Sequence, residues 1–195
     1  MRSGQIERET TETKIAVNLN LDGTGVNLID TGVGFFDHML TLFAKMARLD
    51  ITLNAKGDLR VDPHHTIEDV GIALGKAVNV AAGDRIGISR YGDALVPMDE
   101  ALVQVALDFS NRPFLVWDVP LPYGLVGEFP IEMAEEFMRA FSFNAGITLH
   151  IRMQSGKNVH HILEAVFKAL GLALRKGLLL EPGLQGVLST KGTLV

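Results

Sequence analysis

The sequence predicts an α/β chain of the α+β sandwich type: two duplicated half-domains in which mixed sheets pack against helices. Three observations carry this reading. Stretches that alternate apolar and polar residues take turns with stretches whose apolar residues recur every three or four positions. The pattern HHxxE occurs twice, at His64, His65 and Glu68 and again at His160, His161 and Glu164, with 160 − 64 = 96 residues between copies. Around each copy the chain repeats more loosely. "ITLNAKGDLRVDPHH" (51–65) and "ITLHIRMQSGKNVHH" (147–161) have equal length, begin with ITL, hold a glycine and end in HH. Such self-similarity marks a tandem duplication, with halves at 1–92 and 93–195 that are expected to form one domain together.

The elements follow in order. Ile15, Val17, Leu19 and Leu21 alternate and predict a strand. Phe36, Leu40, Phe43 and Ala47 fall at helical spacing and predict a helix over 36–48. Residues 50–55 read as a strand. From His64, the positions Ile67, Val70, Gly71, Leu74 and Val78 give a second helix. The second half repeats the scheme: strands near 101–107 and 114–119, a helix near 132–143, a strand at 147–153 and a helix at 159–176. That last helix is apolar on most sides ("ILEAVFKALGLAL") and should be deeply buried. "IAVNLNLD" (15–22) matches "ALVQVALD" (101–108) at an offset of 101 − 15 = 86. The second half therefore carries about ten extra residues, assigned to the Pro/Gly-rich stretch "VPLPYGLVGEFP".

Composition narrows the function classes. The 195 residues are 47% hydrophobic and 21% charged, the balance of an ordered globular chain. The net charge is −5 and no long basic run exists, which argues against a nucleic-acid partner. A few local cations could still hold a small anion. There are no cysteines, so disulfides and thiolate metal sites are excluded. No signal-like segment or run of about 18 apolar residues is found. A cytoplasmic location is the expectation.

Successive helical residues project about 100° apart, whereas i, i+3 and i+4 share a face. His64 and His65 therefore point in different directions, and each is better placed to serve a different ion. Glu68 is close enough in the helix to join either. The same holds for His160, His161 and Glu164. The remaining histidines are His38 and His150. Six histidines and two glutamates make eight ligands, enough for two sites of three His and one Glu. Four protein ligands on an octahedral ion leave two positions open. Imidazole and carboxylate without thiolate suit Mn2+, Fe2+, Co2+, Ni2+ or Zn2+. The order of residues is not HExxH, so a zinc protease is disfavoured.

The segments "LDGTG", "GFFDHML", "DPHHTIEDVGIALGKA", "GISRYGDA", "PMDEAL", "GKNVHHILEA" and "STKG" together resemble the imidazoleglycerol-phosphate dehydratase family along nearly the whole chain. The resemblance implies a lyase of histidine biosynthesis with two Mn2+ per subunit. It assigns His38, His65, Glu68 and His161 to one ion. It assigns His64, His150, His160 and Glu164 to the other. The implied reaction takes imidazoleglycerol phosphate to imidazoleacetol phosphate and water. The proton to be removed has no neighbouring carbonyl. An imidazolate held through both nitrogens could expel the adjacent hydroxyl and give a diazafulvene, whose next C–H is acidic enough for a carboxylate base. The resemblance gives that role to Glu12 and a further acidic role to Asp99. It places the substrate phosphate on Arg90, Arg112, Lys157, Ser189 and Lys191. Leu42 and Met46 depart from the family, where polar residues face the substrate. The implied partners are a phosphorylated imidazole substrate and further copies of the chain, as trimers assembled into a 24-mer. A mean hydropathy of +0.22 is compatible with large interfaces. The chain should be monofunctional, without the phosphatase domain fused to some relatives. Two other classes compete: a dimetal phosphatase, which fits a His-rich ligand set poorly, and a metal storage protein, which leaves Glu12 and the cations unused.

Overall fold

The computed structural model describes residues 2–194. The first unit runs β1 (Ser3–Glu9), β2 (Thr13–Asn20), β3 (Asn27–Asp30), α1 (Gly34–Ala47), β4 (Asp50–Gly57) and α2 (His64–Ala82). The second runs β5 (Tyr91–Met98), β6 (Ala101–Asp108), β7 (Phe114–Asp118), the short hairpin β8 (Leu125–Val126) and β9 (Phe129–Pro130), α3 (Met133–Ala145), β10 (Thr148–Ser155) and α4 (Val159–Gly177). The sheet orders are β1-β2-β4-β3 and β5-β6-β10-β7. In each, the last listed strand pairs parallel and the others antiparallel. The duplicated, mixed-sheet sandwich is thus what the chain forms. The second unit opens at Tyr91, slightly ahead of a 92/93 division.

Each sheet is buried on one face only. In β2, Thr13, Ile15, Val17 and Leu19 point inward while their neighbours are exposed. Helices cover the buried faces: α2 lies on β1 and β2, α4 on β5 and β6. The helices then pack crosswise, α1 against α4 and α2 against α3. The result is four layers, sheet, helices, helices, sheet, around one continuous core. Neither half closes its core alone. Aromatic side chains fill the middle, with Phe137 stacked on Phe141 and Phe167, and Phe43 edge-on to Phe141.

The sheet registers correct the repeat. Ser3 pairs with Asn20 and Tyr91 with Asp108, so the first strands are offset by 91 − 3 = 88, not 86. The β4 and β10 strands are offset by 148 − 50 = 98, not 96. The residue that repeats His150 is therefore Thr52. The ten-residue gain falls between β7 and α3, where the β8–β9 hairpin sits, as the Pro/Gly-rich stretch suggested. Gly4 and Gly92 confirm the 88 offset. A Cβ on Gly4 would lie 2.2 Å from the Ala77 carbonyl oxygen, and one on Gly92 would lie 1.9 Å from that of Ala173. At both places a strand runs against a helix backbone with no room for a side chain.

The strands β1, β3 and β5 were not foreseen. The first two are edge strands with few apolar residues, and β5 buries only Gly92, Ala94 and Val96 on its inner face. No helix among the described residues is long and apolar enough to cross a membrane.

Candidate metal centre and phosphate cleft

Both histidine pairs open a helix. Asp62 accepts from the His64 backbone N–H at 2.8 Å, and the Asn158 side chain accepts from that of His160 at 2.9 Å. Asn158 is the N-cap of α4, and Asp62 stands one residue before Pro63, the N-cap of α2, so both contacts sit where the imidazoles emerge. Within each pair the rings diverge, with interplanar angles of 74° and 80°. This agrees with the helical-face argument.

Three candidate ligands from α1 and α4 come together. His160 Nε2 is 3.3 Å and His38 Nε2 3.8 Å from the same oxygen, Glu164 Oε2. The packing of α1 on α4 makes this possible, and Phe35 stands edge-on to His160 at 5.2 Å. Glu164 is 8% exposed. Burial works against its charge, but Lys168, 2.5 Å from the other oxygen, and the nearby His38 and His160 hold it below the usual carboxylate range. Lys168 thus neutralises one oxygen and leaves the other facing two imidazoles.

His161 turns elsewhere. Its Nδ1 is 2.7 Å from Glu100 Oε2, and Asp99 Oδ2 lies 3.7 Å from its Nε2. The other Glu100 oxygen accepts from the backbone N–H of Asn158 and of Lys157. The His161 hydrogen bond and these amides hold Glu100 down to about 2. Glu100 in turn raises His161. In the first half, His65 Nδ1 is 3.0 Å from Asp58 Oδ2 and 3.7 Å from Glu12 Oε2, and the Asp58 bond raises His65. His64 is exposed, and its ring touches His65. Glu68 is half-buried and His150 lies on the exposed face of β10. Neither has an ion-pair partner among the described residues.

Within this one chain the eight expected ligands therefore do not converge into two sets. His38 joins His160 and Glu164 instead of His65, Glu68 and His161. His64 and His150 do not reach His160. The second three-ligand group among the described residues is Glu12, Asp58 and His65, whose donor atoms lie within 4.8 Å of one another.

The expected phosphate ligands divide. Arg90, Arg112, Ser189 and Lys191 line one cleft of about 650 Å3, closed on one side by the C-terminal segment. Arg90 is 9% exposed and forks onto Asp108 at 2.6 and 3.0 Å. Its Nη1 donates to the Leu188 carbonyl at 2.7 Å and so ties the tail to the cleft wall. Lys191 has no ion-pair partner among the described residues, and Arg112 Nη2 lies 3.8 Å from Asp108 Oδ2, so Arg112 shares that carboxylate with Arg90. Lys157 is elsewhere, in the β10–α4 turn beside Glu100. Asp58, Glu100 and Lys168 were missed. Glu100 could have been found from the repeat, because it stands 88 residues after Glu12.

The family model described as imidazoleglycerol-phosphate dehydratase matches residues 31–174. The chain belongs to this family. An imidazoleglycerol-phosphate dehydratase of Desulfitobacterium hafniense (strain Y51) is 64% identical over 194 residues, covering 100% of this chain and 99% of that protein. That of Moorella thermoacetica is 55% identical, covering 99% and 98%. Two crystal structures share the fold, each with a TM-score of 0.83. The Staphylococcus aureus dehydratase is 38% identical and covers 91% of this chain and 99% of its own. The Pyrococcus furiosus enzyme, solved in complex with (S)-C348, is 40% identical and covers 97% and 100%. Membership in the imidazoleglycerol-phosphate dehydratase family makes the chain a carbon–oxygen hydro-lyase of histidine biosynthesis. The family is metal-dependent, and the imidazole and carboxylate donors of His38, His160 and Glu164 suit a divalent ion. Leu42 and Met46 are half-buried; Leu42 packs on the core, and a Cβ on Gly171 of α4 would lie 2.9 Å from the Met46 Cβ.

Proposed function

We propose that the chain dehydrates D-erythro-imidazoleglycerol phosphate to imidazoleacetol phosphate, with two Mn2+ per subunit and Glu12 as general base. The observation that carries this is the convergence of His38, His160 and Glu164 on one point, with a free carboxylate, Glu12, beside the other histidine pair. His38, His160 and Glu164 would hold one ion, with His65, His161, His64, His150 and Glu68 completing the ligand sets. Bound Mn2+ would supply Lewis acidity toward the nitrogens of the substrate imidazole.

The chain's own groups do the rest. Arg112, Lys191 and the Ser189 hydroxyl hold the phosphate, with Arg90 fixing the tail that presents two of them. The substrate loses its hydroxyl from the carbon next to the ring. Glu12 Oε takes the carbon-bound proton from the following carbon, and the enol so formed tautomerises to the ketone, with one water lost overall. Asp99, exposed beside His161, is the second acidic group placed to exchange a proton. Eight ligands scattered over one chain favour sites completed by further copies, and a 24-mer of trimers is the assembly we propose, in the cytoplasm. The test is a product assay on metal-depleted protein with and without Mn2+. Ketone formation that depends on Mn2+ supports the reading; release of inorganic phosphate instead would make the chain a phosphatase.

A further inference from the structure

The two halves treat their second histidine alike at the ring and differently at the carboxylate. His65 and His161 are repeat-mates, and each presents Nδ1 to a carboxylate, at 3.0 and 2.7 Å. The carboxylates are not repeat-mates. Glu100 repeats Glu12 at the 88 offset. To find the mate of Asp58, the strand ends must be matched. A bulge between Met153 and Ser155 adds one residue to β10. Beyond it, Gly156 takes the place of Gly57. A Cβ on Gly57 would meet Thr66 and Thr13, and one on Gly156 would meet Ile162 and Ala101, which are the residues that repeat Thr66 and Thr13. The residue that repeats Asp58 is therefore Lys157.

That exchange has a consequence for the chemistry. In the first half an aspartate follows the glycine and takes His65. Glu12 remains 3.7 Å from the same nitrogen, with no side-chain hydrogen bond among the described residues. In the second half a lysine follows the glycine and its side chain cannot accept. Glu100 takes the imidazole instead and is held further by the Lys157 and Asn158 amides. Both of its oxygens are engaged, so Glu100 has none left for a substrate proton.

We infer that Asp58 and Glu100 are positioning residues: each accepts the Nδ1 proton of its histidine, aims Nε2 at a metal, and Asp58 by doing so keeps Glu12 free as the base. The inference rests on the metal reading above. A metal-binding imidazole is commonly oriented by a carboxylate on its other nitrogen, and losing that partner typically costs about 10- to 100-fold in metal affinity.

The test uses the full chain as it assembles. Asp58→Ala and Glu100→Ala are compared with the unaltered chain and with Glu12→Gln. Mn2+ affinity is measured by competition with a fluorescent chelator. Histidine tautomers are read by long-range proton–nitrogen NMR on metal-free protein. Both alanine variants should bind Mn2+ about 10- to 100-fold more weakly and lose the Nδ1-protonated tautomer at His65 or His161. Glu12→Gln should change neither. Asp58→Asn, which keeps an oxygen acceptor without charge, should recover part of the loss, and that recovery shows that the alanine effect is not misfolding. Unchanged affinity and tautomer in both alanine variants overturn the assignment. No Mn2+ binding by the unaltered chain overturns the metal reading beneath it, which is a different result.

Discussion

Asp69 follows Glu68 on α2 but points the other way, into the base of the β1–β2 hairpin. It is 6% exposed. One of its oxygens accepts from Arg8 Nε and Nη2 at 2.9 and 2.7 Å, and the other accepts from the Thr13 hydroxyl at 2.5 Å. Thr13 begins β2, and the Thr10 hydroxyl accepts from the backbone N–H of Glu12 and of Thr13 at 3.1 and 3.0 Å. The turn that carries Glu12 is thus anchored to the helix that carries His64, His65 and Glu68. Asp69→Ala removes the anchor. A hydrogen bond to a charged group contributes about 1.5–3 kcal/mol. Arg8 keeps a side chain 30% exposed and can return partly to water, and Thr13 retains the Thr10 hydroxyl at 3.2 Å. With those discounts the loss is about 3 kcal/mol, or roughly 6–12 °C in apparent melting midpoint for a chain of this length. A base displaced by about 1 Å can lose roughly 100-fold in rate. Turnover of the Mn2+-loaded enzyme should therefore fall by about 10- to 100-fold. Metal held by His38, His160 and Glu164 should be unaffected, since that cluster belongs to other helices. Calorimetric melting, steady-state kinetics and metal analysis check this. A variant that melts within about 2 °C of the parent and turns over normally would refute the anchoring argument.

The remaining predictions follow from the same geometry. Glu12→Gln keeps size and removes basicity; turnover should drop by at least about 100-fold at unchanged metal content, and near-normal turnover would transfer the role to Asp99. Removing metal with a chelator should abolish activity and Mn2+ should restore it, with bound metal approaching two ions per chain by elemental analysis. Lys191→Ala should raise KM more than it lowers kcat, and deletion of 189–195 should weaken substrate binding sharply while Mn2+ stays bound. Unchanged kinetics in that deletion would show that the tail plays no part. Gly92→Ala forces a methyl to within 1.9 Å of the Ala173 carbonyl oxygen and should destabilise the chain by about 1–3 kcal/mol, read as a lower melting midpoint.

How much of the fold could be read from the sequence depended on how each element buries itself. All four helices and the inner strands carry apolar residues at their own period, so β2, β4, β6, β10, α1, α2, α3 and α4 were legible within a few residues. The edge strand β1 lines its inner face with Gly4, Ile6 and polar residues, and β5 does so with Gly92, Ala94 and Val96. Small residues are required there because a helix backbone lies directly on the strand. The hydrophobic signal is lost for the same reason that the packing is close. The crosswise pairing of helices leaves no mark in any one element's periodicity. It depends on which surfaces remain apolar once each helix has covered its sheet.

The candidate site was legible in type and less so in grouping. Six histidines and two glutamates supply candidate metal ligands, some of which the fold groups together, and the divergence of adjacent imidazoles follows from helix geometry alone. The neighbour of each ligand depends on register, and register was misjudged by two residues. An even slip leaves every strand residue on its correct face, so nothing in the burial pattern exposes the error. It does change the partners. At an offset of 86, Glu12 falls opposite Met98, which has no chemistry in common with it. At 88 it falls opposite Glu100, and the duplication of the carboxylate becomes visible. A one-residue bulge then decides that Lys157, not Gly156, stands where Asp58 does. Two small corrections to alignment therefore separate a carboxylate that is free to accept a proton from one that is fully engaged in holding an imidazole. A search for repeated ligands alone would have treated Glu12 and Glu100 as equals; the hydrogen bonds to His65 and His161 are what distinguish them.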